Sequence, residues 1–167
     1  MTIEKTLVLF KPDAVERGLT GEIMQRFERV GLKMIGLKLL VPNEDHAKNH
    51  YTEDLAERRG EHVRNLMISM LMSGPIVALA LEGIEAVEVV RKMVGSTEPK
   101  SSPPGTIRGD YSHVSFKHVD AHDSTLYNLI HASATPEEAL SELAVWFAPD
   151  ELIDHEPLYT RHTLNKD

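Results

Sequence analysis

Thr6-Leu7-Val8-Leu9-Phe10, halted by Lys11-Pro12-Asp13, is the stretch whose reading decides the fold. An uncharged, largely apolar run of this length, closed by a lysine, a proline and an aspartate, predicts a short buried strand. Downstream, Thr20 is placed to cap a helix in which Ile23, Met24, Phe27 and Val30 keep helical spacing, with Gly31 as its stop. Leu32 to Val41, rich in leucine and closed by Pro42, predicts a second strand. Asn43 opens a helical region that runs, with a break near Gly60, to about Met72. Its stripe of Leu66, Met67, Met70 and Leu71 reads as core packing, since methionine-rich partner surfaces are much rarer. Pro75 to Leu81 is a continuous apolar strand, and Ile84, Val87 and Val90 predict a helix ending near Gly95.

Periodicity then fades from Ser96 to Asn128, where Ser101-Ser102-Pro103-Pro104-Gly105 is turn chemistry. A patternless stretch of this length in a compact domain is usually functional or disordered. Val114 to Phe116 is expected to form a short strand within it, and Leu129-Ile130-His131 to complete the sheet. Thr135-Pro136-Glu137-Glu138 places proline at the first helical position, with Thr135 and Glu138 at capping-box spacing, so a last helix runs to about Trp146. The order is strand-helix-strand, a helical pair, then strand-helix-strand-helix. No repeat or linker interrupts it, and residues 1–167 read as one α+β domain with 154–167 as a C-terminal tail.

Composition narrows the function. The chain has 167 residues, 41% hydrophobic and 26% charged, enough to bury a core. Cysteine is absent, which excludes disulfides, thiolate metal sites and a catalytic thiol. No apolar run approaches the ~20 residues of a membrane span, and Met1-Thr2-Ile3-Glu4-Lys5 lacks the features of a signal peptide. The expected location is cytoplasmic. A net charge of −8 argues against a protein that coats nucleic acid, while leaving room for a small anion held by a local cluster of cations.

There is no Gly-x-x-x-x-Gly-Lys-Ser/Thr loop and no Gly-x-Gly-x-x-Gly after a strand, so a phosphate site must be assembled from scattered cations. Lys11 closes the first strand, Arg91 lies late on the third helix, and Arg108 sits in the long loop. Arginine suits phosphate because its planar fork donates two parallel hydrogen bonds. Taken singly, each is also an ordinary solvated charge. Among nine histidines, His131 stands out: it follows an apolar run and precedes the small residues Ala132, Ser133 and Ala134. Glu142, on the following helix, is spaced to reach back to one ring nitrogen and leave the other as a nucleophile. The plainer reading is a histidine buried beside a strand end. His113, His118 and His122, with Asp120 and Asp123 nearby, form a competing zinc-type constellation, although their spacing fits neither a helix face nor a strand face.

Six segments, in order, resemble the nucleoside diphosphate kinases. They are Leu9 to Leu19, His50-Tyr51, Ser73-Gly74-Pro75, Gly95 to Pro99, Pro104-Gly105-Thr106-Ile107-Arg108-Gly109-Asp110, and Asn128-Leu129-Ile130-His131-Ala132-Ser133. The resemblance implies a ferredoxin-like βαββαβ core with an antiparallel four-stranded sheet, an inserted helical pair and a long loop before the catalytic strand. It implies transfer of the γ-phosphate of a nucleoside triphosphate, such as ATP, to a nucleoside diphosphate by a ping-pong route through phosphorylated His131. Glu142 would hold the far side of that ring. Lys11, Arg91, Thr97 and Arg108 would hold phosphates, Lys11 and Asn128 the ribose, and Tyr51 would sit in the nucleotide pocket. Mg2+ would arrive with the nucleotide, bound mainly by phosphate oxygens and water, and the chain would assemble as a hexamer or tetramer.

The sequence departs from the family pattern in three places. The stretch from Tyr51 to Ser73 is longer, and Val63, beside His62, falls where a base-stacking aromatic ring is usual. Tyr111 to Asn128 is also longer, and Ala132 and Ala134 replace the usual glycine and aspartate. The alternative reading is a catalytically degenerate nucleotide-binding or regulatory protein of the same fold, and the retention of Lys11, Arg91, Thr97, Arg108, Asn128, His131 and Glu142 together speaks against it.

Overall fold

In a computed structural model, which describes residues 3–164, Thr6 to Phe10 lie inside the strand β1 (Ile3–Phe10). Met1, Thr2 and the last three residues of the expected tail lie outside the described residues. β1 is central because both its faces are apolar: Val8 and Phe10 point into one cluster, Leu7 and Leu9 into another, and all four are fully buried. Each such side chain removed from water contributes about 1.5–3 kcal/mol, which a two-sided strand collects twice over.

Pro12 closes the strand but also begins a short helix, α1 (Pro12–Glu16), for which its fixed φ is suited. Gly18, at φ +70°, then turns the chain into α2 (Thr20–Arg29), whose Ile23 and Phe27 are buried. Thr20 is the first helical residue and not the cap. Leu19 holds the cap position, without a side-chain bond. Gly31, at φ +85°, ends this segment as its spacing predicts, and β2 (Lys33–Leu40) follows.

The expected helical pair is three helices: α3 (Glu44–His50), capped by Asn43, α4 (Glu53–Arg59) and α5 (Glu61–Leu71). Gly60, at φ +93°, joins the last two in a conformation that a side chain would strain. β3 (Ile76–Ile84) is buried along most of its length and runs past Leu81, because Ile84, expected on the next helix, pairs with Ile3 of β1; α6 (Ala86–Val94) packs Val87, Val90 and Val94 inward.

The patternless stretch holds α7 (Ile107–Tyr111) and α8 (Phe116–Ala121). The strand expected at Val114 to Phe116 does not form, because the Ser115 hydroxyl accepts from His118 N and starts a helix there instead. β4 is Ile130–Ala132, one residue later than predicted, because Leu129 has φ +70° and cannot join a ladder. Thr135 caps α9 (Pro136–Trp146) by accepting from Glu138 N at 3.1 Å, but the Glu138 carboxylate reaches Ala134 N, not Thr135 N.

The four strands form one antiparallel sheet in the order β2-β3-β1-β4, as a βαββαβ ferredoxin-like core requires. Helices α2 and α6 cover the face of Val8 and Phe10, while α3, α5 and α9 cover the face of Leu7 and Leu9. The tail lies against the β2 edge: Ile153 N donates to Ile35 O at 2.7 Å, and Lys33 Nζ lies 2.9 Å from Asp154 Oδ1. The end of the patternless stretch also meets the start of α5, through His62 Nε2 and Asp123 Oδ1 at 2.9 Å.

Candidate active site

His131 pairs with Leu9 across β1 and β4, so its ring shares the Leu9 face, beneath α3 and α9. Glu142 comes up from α9, and its Oε1 lies 2.8 Å from His131 Nε2. The approach is off the axis of an ideal N–H bond, and Nε2 has no aligned partner among the described residues. The other Glu142 oxygen accepts from Ser133 Oγ at 2.6 Å, which fixes the carboxylate. His50 closes the back of the site. Its ring stands perpendicular to that of His131, with centroids 4.4 Å apart, and its Nδ1 accepts from Trp146 Nε1. The His131 side chain keeps one opening, at 20% exposure, while that of His50 has none.

Burial and cations together keep His131 uncharged. Burial pushes its pKa down to about 3; Lys11 acts the same way, followed by Arg108 and Arg91, against an opposing pull from Glu138. A neutral imidazole has a lone pair to offer. Burial also drives His50 well below the ordinary histidine range and raises Glu142 and the Tyr51 phenol.

Lys11 is buried at the end of β1 and donates to Asn128 Oδ1 at 2.7 Å, while Asn128 Nδ2 donates to Thr97 O at 2.8 Å. Its pKa falls to about 7, chiefly by burial and then by Arg108, with Asp13 opposing. Arg108 is buried too, and donates to four carbonyl oxygens, those of Asn128, Gly95, Ser96 and Ile130. A guanidinium has five N–H groups, so one remains for a ligand. Arg91 is exposed on α6 and adds its charge from the rim. Tyr51 is buried, and its hydroxyl has no hydrogen-bond partner among the described residues.

Just before His131 the backbone is strained. Ile130 N donates to Asn128 O at 2.8 Å, closing a γ-turn on Leu129, whose positive φ costs about 1–3 kcal/mol for a residue with a side chain. Arg108 holds the carbonyls on both sides of this turn, and Lys11 N donates to Leu129 O at 2.8 Å.

Glu142 meets His131 directly, Tyr51 reaches it through His50, and Asn128 links Lys11, Arg108 and the Thr97 carbonyl, while Arg91 contributes only its charge. Sequence reasoning gave no role to His50, Ser133 or Asp13. His50 appeared only within a matched segment, and nothing in its local pattern announces a ring standing edge-on behind His131. The competing constellation does not assemble. His118 and His122 lie side by side, but the one group of histidines and acids within common reach of an ion, among the described residues, is His50, His131 and Glu142. His62 is engaged with Asp123, and Val63 is exposed.

The same fold occurs in solved structures that carry nucleotides. A transition-state mimic of nucleoside-diphosphate kinase from Borrelia burgdorferi with bound vanadate and ADP superposes with a TM-score of 0.94 at 43% identity, covering 97% of each chain. A halophilic nucleoside diphosphate kinase from Halobacterium salinarum in complex with CDP gives 0.82 at 36% identity, over 97% of this chain and 99% of that one. Fold and relatives define the class as a nucleotide phosphotransferase. The sequence matches the family model described as Nucleoside diphosphate kinase over residues 4–152. It is 46% identical to the nucleoside diphosphate kinase of Borreliella burgdorferi over 93% of both chains, and 44% identical to that of Pyrococcus furiosus over 92% of this chain and 88% of the relative. The chain belongs to the nucleoside diphosphate kinase family.

Proposed function

We propose that the chain carries out nucleoside diphosphate kinase chemistry as a ping-pong reaction through a phosphorylated His131. The observation that carries this reading is the uncharged ring with Nε2 turned to Glu142 at 2.8 Å. A carboxylate on Nε2 keeps the proton there and directs the Nδ1 lone pair to the opening. Nδ1 attacks the γ-phosphorus of a nucleoside triphosphate such as ATP, the bond from that phosphorus to the bridging oxygen breaks, and the diphosphate leaves. A second nucleoside diphosphate then attacks the phosphorus through a terminal oxygen, the N–P bond breaks, and His131 is restored. Lys11, Arg91 and the free N–H of Arg108 offset charge on the transferring oxygens. In a water-poor pocket such fixed donors act without reorganisation. Asn128 and Lys11 face the ribose, the Thr97 segment the phosphates, and Tyr51 lines the nucleotide pocket.

The residues fit a magnesium ion that comes with the nucleotide. Of the nearby carboxylates, Asp13 gives one oxygen to Leu129 N and Glu142 is turned to Ser133 and His131, so phosphate oxygens and water would supply most of the metal's ligands. Bound there, Mg2+ would neutralise phosphate charge. Residues 1–167 act as a single domain with a C-terminal tail, in the cytoplasm where nucleotide pools lie, and copies assemble into a tetramer or hexamer. No helix of the described residues is long and apolar enough to cross a membrane. Incubation with ATP labelled at the γ-phosphate tests the chemistry. The expected product is an acid-labile, base-stable phosphoprotein that loses its label to GDP or CDP, with His131→Ala unlabelled. Label on serine, or label retained in His131→Ala, contradicts the reading.

A further inference from the structure

We propose that Asp13 is a positioning residue for the transfer reaction, its carboxylate holding the strained turn at Leu129 and thereby setting Asn128 and His131 on either side of it. This rests on the role given to His131 above. Leu129 is a fully buried branched residue at φ +70°, a conformation that its own side chain disfavours, so the surroundings must impose it. Three groups do so. Asp13 Oδ2 accepts from Leu129 N at 2.9 Å, Lys11 N donates to Leu129 O at 2.8 Å, and Arg108 grips the carbonyls of Asn128 and Ile130. Among these, Asp13 alone supplies the acceptor for the turn's N–H. It sits in α1, two residues beyond Lys11, so one helical start fixes both the lysine and the brace for the strand that carries His131. The other Asp13 oxygen, Oδ1, is buried without a hydrogen-bond partner among the described residues. Native proteins rarely keep such an atom unless it does something, and here the carboxylate faces the cations of the site. Lys11 at the end of β1, Arg17 just past α1, Arg108 of α7 and the Tyr51 phenol beside α3 are the titratable groups coupled to it. Burial raises the Asp13 carboxyl above the ordinary range, against the pull of Leu129 N and Lys11, and in its charged form it supports the protonated form of Lys11.

Single-turnover labelling of full-length protein by γ-labelled ATP, comparing native, Asp13→Ala and Asp13→Asn chains, separates the possibilities. Asp13→Ala removes the acceptor. It is expected to reach the same final labelling with a rate roughly 10- to 100-fold lower, as for a small displacement of reacting groups, and with KM little changed. Asp13→Asn keeps an acceptor for Leu129 N and loses the charge. It is expected to recover most of the rate at pH 6 while its activity falls away at lower pH than in the native chain, because Lys11 gives up its proton sooner. A packing role alone would leave that pH profile in place. An unaltered rate in Asp13→Ala, or an Asn variant no faster than the Ala variant, overturns the proposal. If the Ala variant does not fold, an unshifted pH profile in Asp13→Asn overturns it by itself. Native label mapped to a residue other than His131 would overturn the parent reading as well, whereas unaltered Asp13 rates overturn this inference alone.

Discussion

At the residue scale, Lys11 gives the pocket a measurable proton balance. Its pKa is pushed down to about 7 by burial and by Arg108, so a substantial fraction of the empty protein carries a neutral amine at pH 7.5. A bound nucleotide brings phosphate charge that favours the ammonium form, so binding must take up protons. Because the pKa is lowered in the folded chain and raised again by the ligand, uptake is expected above about pH 7 and fades below it. Titration calorimetry of ADP at pH 7.5, in buffers of different ionisation enthalpy, should show net uptake in the native chain and little in Lys11→Met; equal uptake in both contradicts it. Sequence reasoning found Lys11 by its place at a strand end, where taken singly it also passed for a solvated charge, whereas the structure buries it. His131 and Glu142 were legible because a strand end and a helix spacing are local signals. His50 and Asp13 were not, because their roles arise only when α3 folds over Leu9 and α1 folds against Leu129.

At the element scale, α9 matters because it delivers Glu142, and its start is fixed by Thr135. Thr135→Ala removes the acceptor for Glu138 N and should lower stability by about 1 kcal/mol. Glu142 lies beyond the first turn, in the buried part of the helix, so kcat should be kept. Denaturant unfolding and steady-state rates check both, and a variant as stable as the native chain contradicts the cap's importance. The elements read best from sequence were those with strong apolar runs or proline and glycine boundaries: β1, β3, α6 and α9. Those missed or shifted depended on single backbone events. Ser115 converts an expected strand into α8, the chain leaves the helix at Tyr51 and Thr52 and so divides α3 from α4, and the φ of Leu129 delays β4. Apolar periodicity carries no trace of such events.

At the scale of the whole molecule, β2 lies at the sheet edge, and Leu37 and Leu39 on it and Val41 just past its end stand at 50%, 69% and 66% exposure. Three large apolar side chains in alternation along this edge suit an interface with another copy, which supports the proposed assembly. Leu39→Lys combined with Val41→Lys should give a smaller particle in sedimentation and a lower Tm, and an unchanged oligomer would place the contact elsewhere. Assembly was expected from family resemblance, not from pattern, since a single sequence shows that a strand is apolar but not which of its faces stays uncovered. The account as a whole depends on which nitrogen of His131 accepts phosphate. Phosphorus NMR of the phosphorylated native chain, with its signal assigned to one ring nitrogen, tests that most directly. The geometry around Glu142 predicts phosphorus on Nδ1; a signal from phosphate on Nε2, or on any other side chain, would contradict it.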